Sequence, residues 1–220
     1  MYVNPDEIER DIRTFDFLDL SQYGVHTTEK EILDFFRNST LLENEDLTDE
    51  AEALRFTDRK LSFFEVSVNA YFASVAADFI RKKLIEAGQT LTFETVMSSP
   101  DKIELLRLAQ IRGYRTYLYY VATEDPEINI SRVRHRVRMG GHSVPEAKII
   151  SRYHRSLDLL MDAVQYTHRA YIFDNSSHER VWLAEITNGK ILEMKTDRIP
   201  GWFETALWNK FLAKSQHQPT

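Results

Sequence analysis

The 220-residue sequence contains no cysteine. Disulfides and thiolate metal sites are therefore excluded, which fits a reducing compartment. No apolar run approaches the roughly 20 residues that span a bilayer. The N-terminus, Met1 to Ile12, is acidic and lacks the pattern of a secretory signal. The expected setting is the cytoplasm, with no membrane partner. Glycine and proline are sparse, at 7 and 6, so the few present punctuate the chain informatively. Internal repeats and low-complexity segments are lacking as well.

What is present is enough apolar material for a sizeable core, 43% of residues, with 13 Phe, 10 Tyr and 3 Trp. The net charge of −6 hides an asymmetry. Residues 1–60 carry 16 acids against 7 bases, whereas residues 132–155 carry seven bases against the single acid Glu146. A positive patch in an acidic protein suits an anion, although a solvated helix face paired with acids is an equal reading. The patch has no aromatic stacking array, so nucleic acid is not an expected partner.

Alternating strand-like and helix-like runs organise residues 90–176 and predict a parallel sheet flanked by helices. The strands expected are 90–96, 115–123 and 169–176. Ahead of them, Tyr2-Val3 reads as a strand end and Asn-Pro-Asp as the turn into a helix. A short amphipathic helix is predicted over 28–38, capped by Thr28. Residues 40–60 read as loop or short helix, and 61–87 as a long helix with the stripe Phe64, Val68, Phe72, Val75, Phe79 and Leu84 and a stop at Gly88. A helix over 100–112 is expected to turn Ile103, Leu106 and Ile111 inward. Asn188-Gly189 predicts a β-hairpin over 180–196, followed by an aromatic C-terminal helix and a frayed end.

Candidate functional residues fall at the expected strand ends and on the helices between them, where ligands of open α/β sheets bind. Asp6 stands where strand gives way to helix; as such it is also an ordinary capping residue. Glu94 lies in a strand expected to be buried on both faces, with Thr95 and Ser98 as nearby hydroxyls. Asp125-Pro126 opens a helix on which Arg132 and Arg136 share one flank, and Arg134 and Arg138 the other. Like charges at that spacing repel, so an anionic partner explains them better than stability does. Gly140-Gly141-His142-Ser143-Val144-Pro145 breaks this helix before another that carries Arg152 and Arg155, an arrangement suited to a lid over an anion. His142 could donate to a phosphate. Asp174-Asn175-Ser176 fits a turn, or a loop edging a nucleotide.

These pieces, VNPDEI, FETVMSS, RVRHRVRMGGHSVP, ISRYHRSLDLL and YIFDNS, resemble in order and spacing the zeta-toxin-like kinases of the P-loop class, over about residues 1–176. The resemblance implies one domain over 1–220 with an α/β, P-loop NTPase-like parallel sheet flanked by helices. Residues 28–87 would be a helical elaboration and 177–220 a C-terminal β-hairpin and helix. It implies transfer of phosphate from ATP, with Mg2+, to a hydroxyl of a small molecule such as a nucleotide-activated sugar. A restraining antitoxin protein is a further implied partner. Asp6 would activate the hydroxyl, and Arg132 and Arg136 would clamp phosphates. Glu94, Thr95, Ser98, His142 and Arg152 would bind substrate, and Asp174 and Asn175 would edge the nucleotide. Glu94 would help hold substrate or metal, and no dedicated metal-ligand set is implied. The family's phosphate loop, GxxxxGK[ST], is missing: none of Gly24, Gly88, Gly113, Gly140, Gly141, Gly189 and Gly201 lies in one. The expectation is a truncated form whose first strand and loop lie before Met1, with ATP bound weakly by this chain. The alternative is a remnant without activity that binds a nucleotide, a sugar phosphate or a protein.

Overall fold

A computed structural model describes residues 1–141 and 143–215. His142 and the expected frayed end, 216–220, lie outside the described residues. The chain divides into two compact units, Met1–Thr95 and Val96–Thr220.

In the first unit, β1 (Tyr2–Val3) leads into α1 (Pro5–Phe15). The cap of α1 is Asn4, whose side chain accepts from the Asp6 N–H, so Asp6 sits in the first turn rather than at the cap. Next come β2 (Phe17–Asp19), α2 (Glu29–Arg37) capped by Thr28, α3 (Thr40–Glu43) and α4 (Thr48–Glu52). The strands β3 (Arg55–Thr57) and β4 (Lys60–Ser62) follow, then α5 (Ala70–Glu86) and β5 (Thr92–Phe93). Helix α5 begins after Asn69, whose side chain accepts from the Tyr71 and Phe72 N–H groups. The expected start near 61 is therefore too early, and Phe64 is 81% exposed instead of joining the stripe. Gly88, at φ 72°, follows α5 as expected. The core packs α1, α2 and α5 through Ile8, Ile12, Phe36 and Phe72, with Phe36, Phe63 and Phe72 in mutual ring contact.

The second unit runs α6 (Asp101–Ile111), β6 (Tyr117–Ala122), α7 (Pro126–Arg138), α8 (Glu146–Gln165) and β7 (Arg169–Asp174). It continues with β8 (Val181–Thr187), β9 (Ile191–Met194), a turn of helix α9 (Gly201–Phe203), a π-helical turn over Glu204–Trp208 and α10 (Asn209–Ser215). Leu160, Val164, Ile172, Leu183, Ile186 and Phe203 form its core. Ile111 is 67% exposed, against the expectation that it faces inward.

The described strands make a mixed α/β fold with three sheets, not the single parallel sheet expected. Strand β5 pairs parallel with β1, while β2, β4 and β3 form an antiparallel sheet. In the order β6-β7-β8-β9, only β6 and β7 are parallel. The strand expected over 90–96 shortens to two residues, leaving Glu94 and Thr95 beyond its end. The β8–β9 hairpin turns at Asn188-Gly189 as predicted, with φ of 51° and 62°, the positive values a tight hairpin turn requires. A Cβ on Gly189 would come within 2.8 Å of the Gln165 Cα, so glycine also permits the turn to lie against α8.

Candidate functional site

Parallel pairing carries two consecutive loops to one end of the second unit. The chain leaves β6 into Thr123-Glu124-Asp125 and leaves β7 into Asn175-Ser176. The Asn175 N–H donates to the Ala122 carbonyl at 2.8 Å, and the Glu124 N–H donates to the Ser176 hydroxyl at 2.7 Å. Asp125 caps α7 by accepting from the Glu127 N–H, and Pro126 fits its first turn. The basic helix is thus launched from the carboxyl end of β6, the place where ligands of open α/β sheets collect.

Arg132 reaches back one and a half turns along α7, and its Nη2 donates to the Asn175 carbonyl at 2.7 Å. That bond ties the helix to the loop after β7 and leaves most of the guanidinium's five donors for other acceptors. Arg136 lies one turn on and is exposed. On the other flank, Arg134 is ion-paired at 2.6 Å with Glu146, the single acid within the basic patch, so part of the patch is a surface ion pair. The break after α7 is a bonded cap: Gly140 N–H donates to Val137 O and Gly141 N–H to Arg136 O, the Schellman arrangement. Gly140 has φ 91°, and a Cβ on Gly141 would stand 2.7 Å from Arg136 Cγ. Both glycines are required there. Arg152 lies half-buried on α8, beside Tyr153.

Asp174 ends β7 fully buried. Its Oδ1 accepts from the Ser176 hydroxyl at 2.5 Å and from the Trp202 indole at 3.1 Å, and Arg198 pairs with Oδ2 at 3.3 Å. The Oδ2 atom has no hydrogen bond, so the Arg198 contact is an ion pair without bond geometry. Glu124 accepts from the Gly201 N–H at 3.0 Å. Asp174, expected from the resemblance to edge a nucleotide, is enclosed by these partners. The carboxylate faces protein, and it fastens the C-terminal segment to the strand end. Asn175 remains at the surface loop through its carbonyl contact with Arg132. Sequence reasoning missed Arg198, Trp202 and Glu124 as members of this cluster; their only signal was charge and an aromatic near Pro200-Gly201.

Tyr153 on α8 donates toward the Thr123 and Glu124 carbonyls, at 2.8 and 3.1 Å. Burial, then the nearby Glu124, Asp125 and Asp174 carboxylates, pushes its phenol up to about 12. Burial likewise raises Tyr120, which bonds the Ser156 hydroxyl, and Tyr23 in the first unit, each to about 12. These phenols stay protonated in the folded chain while unfolded tyrosines ionise near 10. Their stabilisation is therefore complete below pH 10 and is lost as pH rises toward 12. Urea midpoints measured at rising alkaline pH are expected to fall across that window. A flat profile would show that the phenols titrate normally.

In the first unit the parallel pair β1–β5, in register Val3 with Phe93, sets Asp6 and Glu94 beyond the same strand ends. Both are exposed. Beneath them is a residue that sequence reasoning passed over, Arg81 of α5. It is 2% exposed, donates to the Val3 carbonyl at 3.2 Å, pairs with Asp78 and lies over the Phe93 ring. It opens the basic run Arg81-Lys82-Lys83, and nothing in that run marks it as the buried member. Thr95 is exposed and Ser98 half-buried. Among the described residues, no three His, Asp or Glu side chains cluster closely enough to hold a metal ion, and no helix is long and apolar enough to cross a membrane.

No solved structure matches the chain. An uncharacterized protein of Haemophilus influenzae is 32% identical over 60 residues, covering 27% of this chain and 43% of that protein. The chain thus spans under half the length of the curated relative it matches. The zeta toxin family model matches residues 65–187, just over half of the chain. That span contains β5 with Glu94, the parallel pair β6–β7, the arginine-bearing helices between them and buried Asp174. By that match, the chain belongs to the zeta toxin family.

Proposed function

We propose that this chain serves an ATP-dependent phosphotransfer to a hydroxyl of a small molecule, such as a nucleotide-activated sugar. The observation that supports this reading is the hydrogen bond from Arg132 to the Asn175 carbonyl, which holds one guanidinium group at the carboxyl end of a parallel strand pair. Phosphoryl transfer asks a protein chiefly for positioning and for positive charge around the transferred group. Arg132, Arg136 and Arg152 supply the charge. Asp6 accepts the proton of the attacking hydroxyl, and Glu94, with Thr95 and Ser98, orients the acceptor. ATP supplies the transferred phosphoryl group. The arginines suit its phosphates, but no GxxxxGK[ST] cradle is in these residues. The described carboxylates do not form a Mg2+ cluster either. A cytoplasmic setting and an antitoxin partner complete the proposal.

The missing cradle favours a second reading, a binding module that recognises a nucleotide, a sugar phosphate or a protein without turnover. An assay of the chain with ATP and a nucleotide-activated amino sugar separates the two. Under the first reading Asp6→Asn abolishes turnover and leaves sugar-nucleotide affinity nearly unchanged. Turnover undiminished by the substitution would remove Asp6 from the chemistry. Tight binding of both ATP and the sugar nucleotide by the unaltered chain, without any turnover, would support the module.

A further inference from the structure

The like charges on the second flank of α7, Arg134 and Arg138, are not used by the proposed phosphotransfer. Side chains two positions apart on a helix point to nearly opposite sides, so this pair turns away from Arg132 and Arg136. It borders a cavity of about 600 Å3 between α7 and α8. That volume lies within the roughly 300–1,000 Å3 of small-molecule sites. The floor is aliphatic, with Ile130, Val133 and Val137 on one wall and Val144 and Ile149 on the other. Of these only Ile130 is buried; Val137 is 37% exposed and the others are half-buried. Apolar side chains of two facing helices therefore leave the space between them unfilled, where a protein interior would be close-packed. At the rim Glu146 bridges the helices by its ion pair with Arg134. Arg138, in the last turn of α7, is exposed, and no ion pair engages it among the described residues. Two guanidinium groups against one carboxylate leave the rim with an uncompensated positive charge.

We propose that this cavity binds a small amphiphilic anion, an apolar chain ending in a phosphate group. The chain lies on the aliphatic floor and the phosphate meets Arg138. Neither half of such a ligand suffices alone. A bare anion gains little from an exposed arginine, because water and salt screen the pair. A neutral chain covers the floor but leaves Arg138 without a partner. A chain that carries its own anion covers apolar surface and supplies acceptors for the guanidinium together. A cationic amphiphile is disfavoured, since Arg138 would stand beside a like charge. Glu146 does not oppose the phosphate, because Arg134 neutralises it at 2.6 Å. The proposal uses neither Arg132 nor Arg136, goes beyond the phosphotransfer reading and does not depend on it.

Calorimetric titration of the chain with butyl phosphate and octyl phosphate, followed in parallel by methyl resonances, tests this. Octyl phosphate is expected to bind saturably and to shift the methyl signals of Val133, Val137, Val144 and Ile149. Each methylene added between the two probes is expected to tighten binding by about threefold, as burial of the chain requires. Arg138→Gln is expected to weaken octyl phosphate about fivefold while the same methyl signals still shift. Val137→Asn places an amide in the floor, and is expected to flatten the dependence on chain length. Both positions are exposed, so far-ultraviolet circular dichroism is expected to stay unchanged. Absence of binding would overturn the proposal. Equal affinity for the two probes would overturn it by showing that charge alone acts. Affinity untouched by Arg138→Gln would do so by showing that apolar contact alone acts, and shifts confined to other methyl groups by placing the ligand elsewhere. If Val137→Asn disturbs the fold, Arg138→Gln and the chain-length series decide without it.

Discussion

Asp174→Ala is expected to lower the stability of the second unit by about 3 kcal/mol, the scale of removing the acceptor from a buried charged network. The carboxylate is fully buried and holds Ser176, Trp202 and Arg198 together. Without it the Trp202 indole N–H, buried behind the strand end, has lost its acceptor. Arg198 is half exposed and recovers water, so its share of the loss is small. Asp174→Asn retains an oxygen for Trp202 and Ser176, and the expected loss falls to about 1 kcal/mol. Urea unfolding followed by tryptophan fluorescence reads both. Equal, small effects of the two substitutions would mean that the cluster is not a fastening point.

The double substitution Arg132→Ala, Arg136→Ala is expected to weaken binding of a nucleotide-activated sugar by about a hundredfold, near 2.7 kcal/mol. Two guanidinium groups would leave the flank of α7 that borders the strand ends. Arg132 also ties α7 to the loop after β7, so its loss frees the helix as well as removing charge. Arg134→Ala serves as the contrast. Its guanidinium is engaged with Glu146 on the other flank, and affinity is expected to change little. If the contrast variant loses as much affinity as the double one, the patch acts through net charge and not through a placed row.

Much of the fold was legible because local chemistry agreed with it. Asp125-Pro126 opens α7, Thr28 caps α2 and Asn188-Gly189 turns the β8–β9 hairpin. The hairpin β3–β4 escaped notice because its turn, Asp58-Arg59, takes φ of 50° and 63° without the asparagine or glycine that announces such a turn. Phe64 fitted a helical period that Asn69 cuts short, so periodicity overran a capping signal. The strand expected around Glu94 was judged by its β-branched content, but only Thr92 and Phe93 find a partner, in β1. For the site, the arginine row and the acids beyond the strand ends followed from spacing. The environment of Asp174 did not, since Arg198 and Trp202 reach it from far along the chain. Buried arginine in α5 was equally silent, because a helix sequence does not reveal which of its polar residues faces a strand end.

The most direct test of the arginine row as a phosphate-binding element is a calorimetric titration of the unaltered chain with a nucleotide-activated sugar at low and at raised salt. Saturable binding that weakens as salt rises, and that the Arg132→Ala, Arg136→Ala chain fails to reproduce, is the predicted result. Absence of heat at low salt, or affinity equal in the two chains, would contradict it.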